Sequence, residues 1–220
     1  MAEWVDKKVL MIGAARQGIA LSRYLAQKGA SVTLNDRRSE EVLQPIVEEL
    51  MDLDVTLVAG SHPPSLLENV DLVCLSGGVP LDIPIVQEAV RQNIPLSNDS
   101  QIFLEEAPCR VIGITGSAGK TTTTALVGEM ARQHYAIRKP ENLVWVGGNI
   151  GNPLIQYLEE MQTDDLAVME LSSFQLEIMT LSPQIAAVLN LTPNHLDRHQ
   201  SMAKYISAKA KILMHQTQDD

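Results

Sequence analysis

Cysteine is nearly missing from this chain: Cys74 and Cys109 are the only two in 220 residues. Both sit in apolar stretches with no Cys-x-x-Cys spacing and no neighbouring histidines. That excludes a disulfide framework and a zinc knuckle and leads us to expect a reducing, cytoplasmic setting. Positive charge is scarce too. Seventeen Lys and Arg stand against 27 Asp and Glu, a formal charge of −10, which excludes a generic nucleic-acid coat, so no nucleic-acid partner is expected. Long hydrophobic runs are absent as well. Residues 9–15 are too few to span a bilayer, are interrupted by Gly13, and follow Glu3 and Asp6 rather than a basic leader, so neither membrane insertion nor export is expected. No repeat of fixed period and no low-complexity tract occurs.

What remains is ordinary globular material, 45% apolar and 20% charged, enough for a packed core. The length fits two compact domains, or one and a truncated second. Short β-branched or Leu-rich runs alternate with longer amphipathic segments, the pattern of parallel strands joined by crossover helices, so the class is α/β. Strands are expected at 9–12, 32–34, 55–58 and 72–75, with a short one near Pro95. Helices are expected at 19–28, stopped by Gly29; after a Ser39 cap, with Val42, Leu43, Ile46, Val47 and Leu50 on one apolar face; from Pro84 to about residue 92; and at 102–106. Pro108 then interrupts the pattern, which sets a domain boundary between 1–108 and 109–220. The second part restarts with a strand at 111–114, a helix from Lys120, strands at 143–146, 166–169 and 185–189, and a helix reaching Met214.

The segment Gly113-Ile114-Thr115-Gly116-Ser117-Ala118-Gly119-Lys120-Thr121-Thr122 follows an apolar strand and opens a helix. This is the setting of a triphosphate-binding loop, in which glycines let backbone N–H groups turn toward phosphate oxygens. Gly116 to Thr122 are the candidate ATP-binding residues, with Lys120 neutralising the β and γ charges and the Thr121 hydroxyl ligating Mg²⁺. The spacing has one flaw: the rule G-x-x-x-x-G-K-[ST] wants glycine at 114, where Ile114 stands, and Gly113 comes one place early. A glycine-rich turn that only caps a helix is the bland alternative.

An earlier turn, Gly13-Ala14-Ala15-Arg16-Gln17-Gly18, also joins a strand to a helix, and Asp36 ends the second strand where a Rossmann-like fold carries its ribose-binding acid. Ala15 occupies the middle-glycine position, and its methyl hinders close approach of a pyrophosphate, which weakens a nicotinamide reading. The helix start, with Arg16 and Arg37 near in sequence, suits the phosphates of another nucleotide. A tight turn with no ligand stays open.

Three further segments lie just past expected strands: residues 147–151 (Gly-Gly-Asn-Ile-Gly), 170–177 (Glu-Leu-Ser-Ser-Phe-Gln-Leu-Glu) and 190–199 (Asn-Leu-Thr-Pro-Asn-His-Leu-Asp-Arg-His). Carboxyl ends of parallel strands share one rim, so all three are positioned to converge on a nucleotide held before Lys120. Glu170, at a strand end, is presented as a metal-holding acid, and His195 offers a nitrogen ligand to a second ion.

These motifs together, in order and through the whole chain, resemble the Mur ligases of peptidoglycan synthesis. The Glu-Leu-Ser-Ser-Phe-Gln-Leu run with Gly-Asn-Ile-Gly resembles the branch that adds D-glutamate, as against the alanine-, diaminopimelate- and dipeptide-adding branches. The resemblance implies a Rossmann-like first domain that binds UDP-N-acetylmuramoyl-L-alanine through Arg16, Gln17, Asp36, Arg37, Ser76 and Gly77. It implies a P-loop ATPase-type central domain, truncated here, and a missing third domain, so that this chain alone ligates little or nothing. It further implies that Lys120 and Thr121 hold ATP and Mg²⁺ (or Mn²⁺), and that Glu170 and His195 ligate a second, catalytic metal. Asn149 and Ser172 lie near the reacting carboxylate, and Lys209, four after Tyr205, is the lysine that becomes carbamylated. A monomer is expected. Two departures stand out: Ala118 replaces the frequent Asn before Gly-Lys, and Asn194 replaces the frequent Asp before His195. Rival readings are a folylpolyglutamate-type ligase, a nicotinamide-dependent oxidoreductase and a non-catalytic nucleotide-binding module.

Overall fold

Residues 8–106 of the computed structural model, which describes residues 4–218 and 220, form five β-strands and four α-helices. The order is β1 (Lys8–Ile12), α1 (Arg16–Gln27), β2 (Ser31–Asp36), α2 (Glu40–Leu50), β3 (Val55–Ala59), β4 (Leu72–Leu75), α3 (Pro84–Arg91), β5 (Leu96–Ser97) and α4 (Asp99–Glu106). Every pairing is parallel, in the order β3-β2-β1-β4-β5. β1 is central, and its Val9, Leu10, Met11 and Ile12 are fully buried, as a strand covered by helices on both faces must be. Successive strands leave β1 in opposite directions at β2 and β4, so a crevice opens beyond their carboxyl ends.

α2 departs from the sequence reading. Leu43 and Leu50 are buried, but Val42 and Val47 are exposed, so the expected five-residue apolar face narrows to a stripe. Pro45 lies inside this helix. Glu40 and Glu41 in its first turn favour the helix dipole, and Ser39 occupies the N-cap position without a side-chain bond.

A second parallel sheet has the order β7-β8-β6-β9, built from β6 (Arg110–Thr115), β7 (Val144–Gly148), β8 (Leu166–Glu170) and β9 (Ile185–Val188). Its helices are α5 (Lys120–Arg138), the single turns α6 (Ser173–Leu176) and α7 (Leu196–His199), and α8 (Met202–Met214). Asp165 accepts from the Leu143 N–H and from Trp145 Nε1, both at 2.8 Å, and so ties β7 to the start of β8 at the end opposite the rim.

The contacts divide the chain into Met1–Asp99 and Ser100–Asp220. The division thus falls before the Pro108 position expected from sequence, because α4 residues bond into the second unit. Gln175 Nε2 donates to Ser100 Oγ (2.7 Å), and the Thr180 N–H donates to Gln101 Oε1 (2.9 Å). Both cysteines are buried, and neither is in a disulfide. Burial, with Asp165 nearby, pushes the Cys109 thiol up to about 11, so it stays protonated and unreactive. Among the described residues no helix is long and apolar enough to cross a membrane.

Candidate functional site

In the first unit the glycine turn, the end of β2 and the end of β4 form one cluster. Gly18 is required by close packing: a Cβ there would lie 1.9 Å from the Gly13 carbonyl oxygen. Gln17 reaches the other side of the crevice, where its Oε1 accepts from the Gly77 N–H at 3.3 Å. Ser76 beside it is buried, while Arg16 and Arg37 are exposed.

Asp36 is already engaged. Its Oδ2 accepts from the Ala14 N–H (2.8 Å) and from Arg38 Nη2 (2.9 Å), and its Oδ1 from Arg38 Nε (2.9 Å). Arg38 Nη2 also donates to the Ala14 carbonyl at 2.7 Å. Burial acts to raise the Asp36 pKa, but the Arg38 hydrogen bonds and the Ala14 and Arg38 N–H groups outweigh it and bring it down to about 2. Arg38, which sequence reasoning passed over in favour of Arg37, is therefore the basic residue that clamps the turn; its two-residue offset from Asp36 was the available signal.

In the second unit four loops leave one rim. Register pairs Glu170 with both Ile114 and Gly148, and Thr115 with Val188, so the phosphate loop and residues 149–153, 171–172 and 189–195 emerge side by side. Glu170 is 1% exposed, yet both carboxylate oxygens have donors: the Thr121 hydroxyl to Oε2 at 2.8 Å and Asn149 Nδ2 to Oε1 at 2.9 Å. Gly148 makes this possible. It has φ +97°, and a Cβ would fall 2.5 Å from the Glu170 carbonyl oxygen, which accepts the Asn149 N–H at 2.9 Å.

Lys120, the first residue of α5, folds back so that Nζ donates to the Gly116 carbonyl at 3.1 Å. Thr121 and Thr122 are exposed beside it. Ser117 uses its side chain inside the protein: Oγ donates to the Thr192 carbonyl (2.9 Å) and accepts from the Thr192 N–H (2.9 Å) and the Tyr205 hydroxyl (3.0 Å). Ala118 and Gly119 are exposed and Gly116 is buried. Ser172 likewise serves locally, in a capping box with Gln175 at the start of α6.

Lys209 lies inside α8, 2% exposed. Its Nζ donates to Thr115 Oγ1 at 3.1 Å and stands 4.9 Å from the Tyr205 ring centroid. Burial first, and then the Lys120 charge, lower its pKa to about 8 against an opposing pull from Glu170. Tyr205 bonds Ser117 and Lys209 bonds Thr115, so both side chains pack against the phosphate loop and the end of β6.

His195 is exposed with φ +52°, at the N-cap of α7, and its ring meets Phe174 edge-on at 5.2 Å between centroids. Phe174 stacks on the other side-chain imidazole, His199, at 5.1 Å. His199 is buried and shares a 2.9 Å hydrogen bond with Ser173; burial lowers its pKa, which favours the neutral ring. Among the described residues no group of three or more His, Cys, Asp or Glu stands close enough to hold a metal ion.

The Mur ligase middle domain matches residues 114–220, and the Mur ligase MurD-like N-terminal domain matches residues 7–98. The chain belongs to the Mur ligases. It is 42% identical over 219 residues to the UDP-N-acetylmuramoylalanine–D-glutamate ligase of Citrifermentans bemidjiense, covering 99% of this chain and 47% of the relative. It is 40% identical over 217 residues to the ligase of the same name from Clostridioides difficile, covering 97% and 47%. The chain thus spans about half the length of the curated relatives it matches. Among solved structures it shares the Mur ligase fold with the UDP-N-acetylmuramate:L-alanyl-gamma-D-glutamyl-meso-diaminopimelate ligase of Neisseria meningitides, with a TM-score of 0.59 and 17% identity over 97% of this chain and 69% of that one. A murein peptide ligase from Psychrobacter arcticus gives a TM-score of 0.52 at 17% identity, covering 93% and 46%.

Proposed function

We propose that this chain supplies the substrate-binding and ATP-binding parts of a ligase that joins D-glutamate to UDP-N-acetylmuramoyl-L-alanine during peptidoglycan precursor synthesis. The observation that carries this reading is the buried Glu170 carboxylate bonded to Thr121 and Asn149 on the same rim as Lys120. Identity of about 40% along nearly the whole chain to ligases of that name supports the substrate assignment. Ligation belongs to the longer protein, with D-glutamate and ATP as co-substrates.

The first unit takes the UDP portion in the crevice between β1 and β4, using Arg16, Gln17, Arg37, Ser76 and Gly77, with Asp36 acting through its clamp on the turn. In the second unit a carboxylate must be made electrophilic before an amine attacks it, since oxide is not a leaving group. One alanyl carboxylate oxygen bonds to the γ-phosphorus of ATP, and the bond to ADP breaks. The D-glutamate amine then adds to the acyl carbon, phosphate leaves with the electron pair of the broken C–O bond, and the nitrogen gives up a proton to water. Lys120 screens the repulsion between γ-phosphate and carboxylate, and Asn149 and Ser172 stand beside the reacting carboxylate. Thr121 and Glu170 offer the hard oxygen donors that Mg²⁺ or Mn²⁺ takes, and Glu170 with His195 would hold a second ion. Bound there, the metal supplies charge neutralisation during phosphoryl transfer.

Lys209 is proposed as a carbamate. Its lowered pKa of about 8 provides a fraction of neutral amine. The nitrogen lone pair bonds to the carbon of CO₂ and a proton leaves to water, so an anion replaces a cation beside Lys120. The test of the ligase reading is phosphate release by the complete protein. It is expected only when ATP, UDP-N-acetylmuramoyl-L-alanine and D-glutamate are all present; release that ignores D-glutamate rejects the assignment.

A further inference from the structure

Residues 116–119 carry glycine at both ends, so the phosphate loop has wide backbone freedom unless something else fixes it. Ala118, in the middle, has no polar side chain of its own. Its peptide is nevertheless held on both sides by one residue 72 positions away. The Ala118 N–H donates to Asn190 Oδ1 at 3.0 Å, and Asn190 Nδ2 donates back to the Ala118 carbonyl at 3.0 Å. The Ser117 N–H donates to the Asn190 carbonyl, also at 3.0 Å.

The first unit holds the equivalent alanine in the same manner by different means. There the Ala14 N–H and carbonyl are taken by Asp36 and Arg38. An ion pair serves a turn whose helix start faces one crevice. The second unit uses a single neutral amide, which adds no charge at Ala118.

Resting on the ATP reading above, we propose that Asn190 is a positioning residue for the nucleotide, presetting the loop so that the triphosphate is received by the N–H groups of residues 119–122. Those of Ser117 and Ala118 are committed to Asn190. The groups at the start of α5 have no intrahelical acceptor and point along the favourable end of the helix dipole. A loop fixed beforehand loses less conformational freedom when the ligand binds. Because Asn190 and Ala118 are both exposed, their bonds add little to overall stability, so the effect falls on binding.

The test is Mg·ATP titration of this chain by calorimetry, with UDP-N-acetylmuramoyl-L-alanine titrated in parallel and thermal midpoints recorded. Asn190→Ala is expected to weaken Mg·ATP binding about tenfold, the loss of two modest hydrogen bonds, with UDP-substrate binding and thermal midpoint close to the parent. Asn190→Asp keeps one acceptor but adds a charge near the triphosphate. It is expected to weaken binding about tenfold more than the alanine variant, and added salt should narrow that gap. A purely structural role predicts the reverse order, because Asp preserves half the contact. Parent-like Mg·ATP affinity in both variants, or an Asp variant that binds better than Ala at every ionic strength, overturns the role of Asn190. No Mg·ATP binding by the parent overturns the ATP reading itself.

Discussion

The Thr121 hydroxyl, on the first turn of α5, donates to Glu170 at the end of β8 across 2.8 Å. The contact joins the residue after the loop lysine to a buried carboxylate of the rim, and Asn149 takes the other carboxylate oxygen. A charged group 1% exposed is costly to bury unless its lone pairs are occupied, so these donors explain how Glu170 is tolerated there. They also leave it adjacent to where phosphate charge is expected.

Replacing Glu170 by Gln keeps the shape and removes the charge. In the complete ligase kcat is expected to fall by about a hundredfold or more, the usual cost of losing one electrostatic group at a phosphoryl site, while UDP-substrate affinity is retained. Steady-state phosphate release measures the first quantity and calorimetry the second. A kcat within twofold of the parent would remove Glu170 from the machinery.

Gly148→Ala tests how tightly the rim is built. With φ +97° and a Cβ 2.5 Å from the Glu170 carbonyl oxygen, the substitution is expected to destabilise the second unit by about 2–3 kcal/mol. Gly60 is a control: its φ is +88°, but nothing lies within 4 Å of a Cβ, so alanine there meets only the left-handed penalty of about 1 kcal/mol. Urea midpoints compare the two, and equal costs would show that the close approach at Gly148 carries no energy.

The Asp36–Arg38 clamp has a defined pH signature. The folded-state pKa of about 2 lies below the ordinary 3.8, so its stabilisation is complete above about pH 4 and is lost as pH falls through 2. At most about 2 kcal/mol is involved, less after screening at half-exposed Arg38. Asp36→Asn is expected to lower the denaturant midpoint of the first unit at pH 7, with the difference shrinking below pH 4. A difference that is constant from pH 7 to pH 3 contradicts the clamp.

Lys209 titrates with the opposite consequence. Its folded pKa of about 8 lies below the ordinary 10.5, so the unfolded chain binds the extra proton between those values and stability rises with pH across that window. The parent is expected to gain stability from pH 8 to 10.5 relative to Lys209→Met, which has no charge to desolvate. Parallel curves for the two proteins would mean that Lys209 is not desolvated.

Much of this organisation was legible in the sequence because strand ends punctuate it. Glu170, Asn149 and the Gly116–Thr121 run each follow an apolar stretch, and in a parallel sheet that position alone assigns them to one rim. What was not legible depends on contacts between segments far apart. Nothing local marks Asn190 as the holder of Ala118, whereas Arg38 stands only two residues from Asp36 and was there to be weighed beside Arg37. The transfer of residues 100–108 to the second unit is set by hydrogen bonds to Gln175 and Thr180, which Pro108 does not announce. The apolar face of α2 was overestimated because periodicity shows which residues share a side, not how much of that side is covered.

Lys120→Ala separates ATP use from UDP-substrate binding, by Mg·ATP titration and phosphate release in the complete ligase alongside UDP-substrate titration. Mg·ATP binding and D-glutamate-dependent phosphate release are expected to be lost while UDP-N-acetylmuramoyl-L-alanine binds as in the parent. Undiminished ATP-dependent ligation by that variant would contradict it.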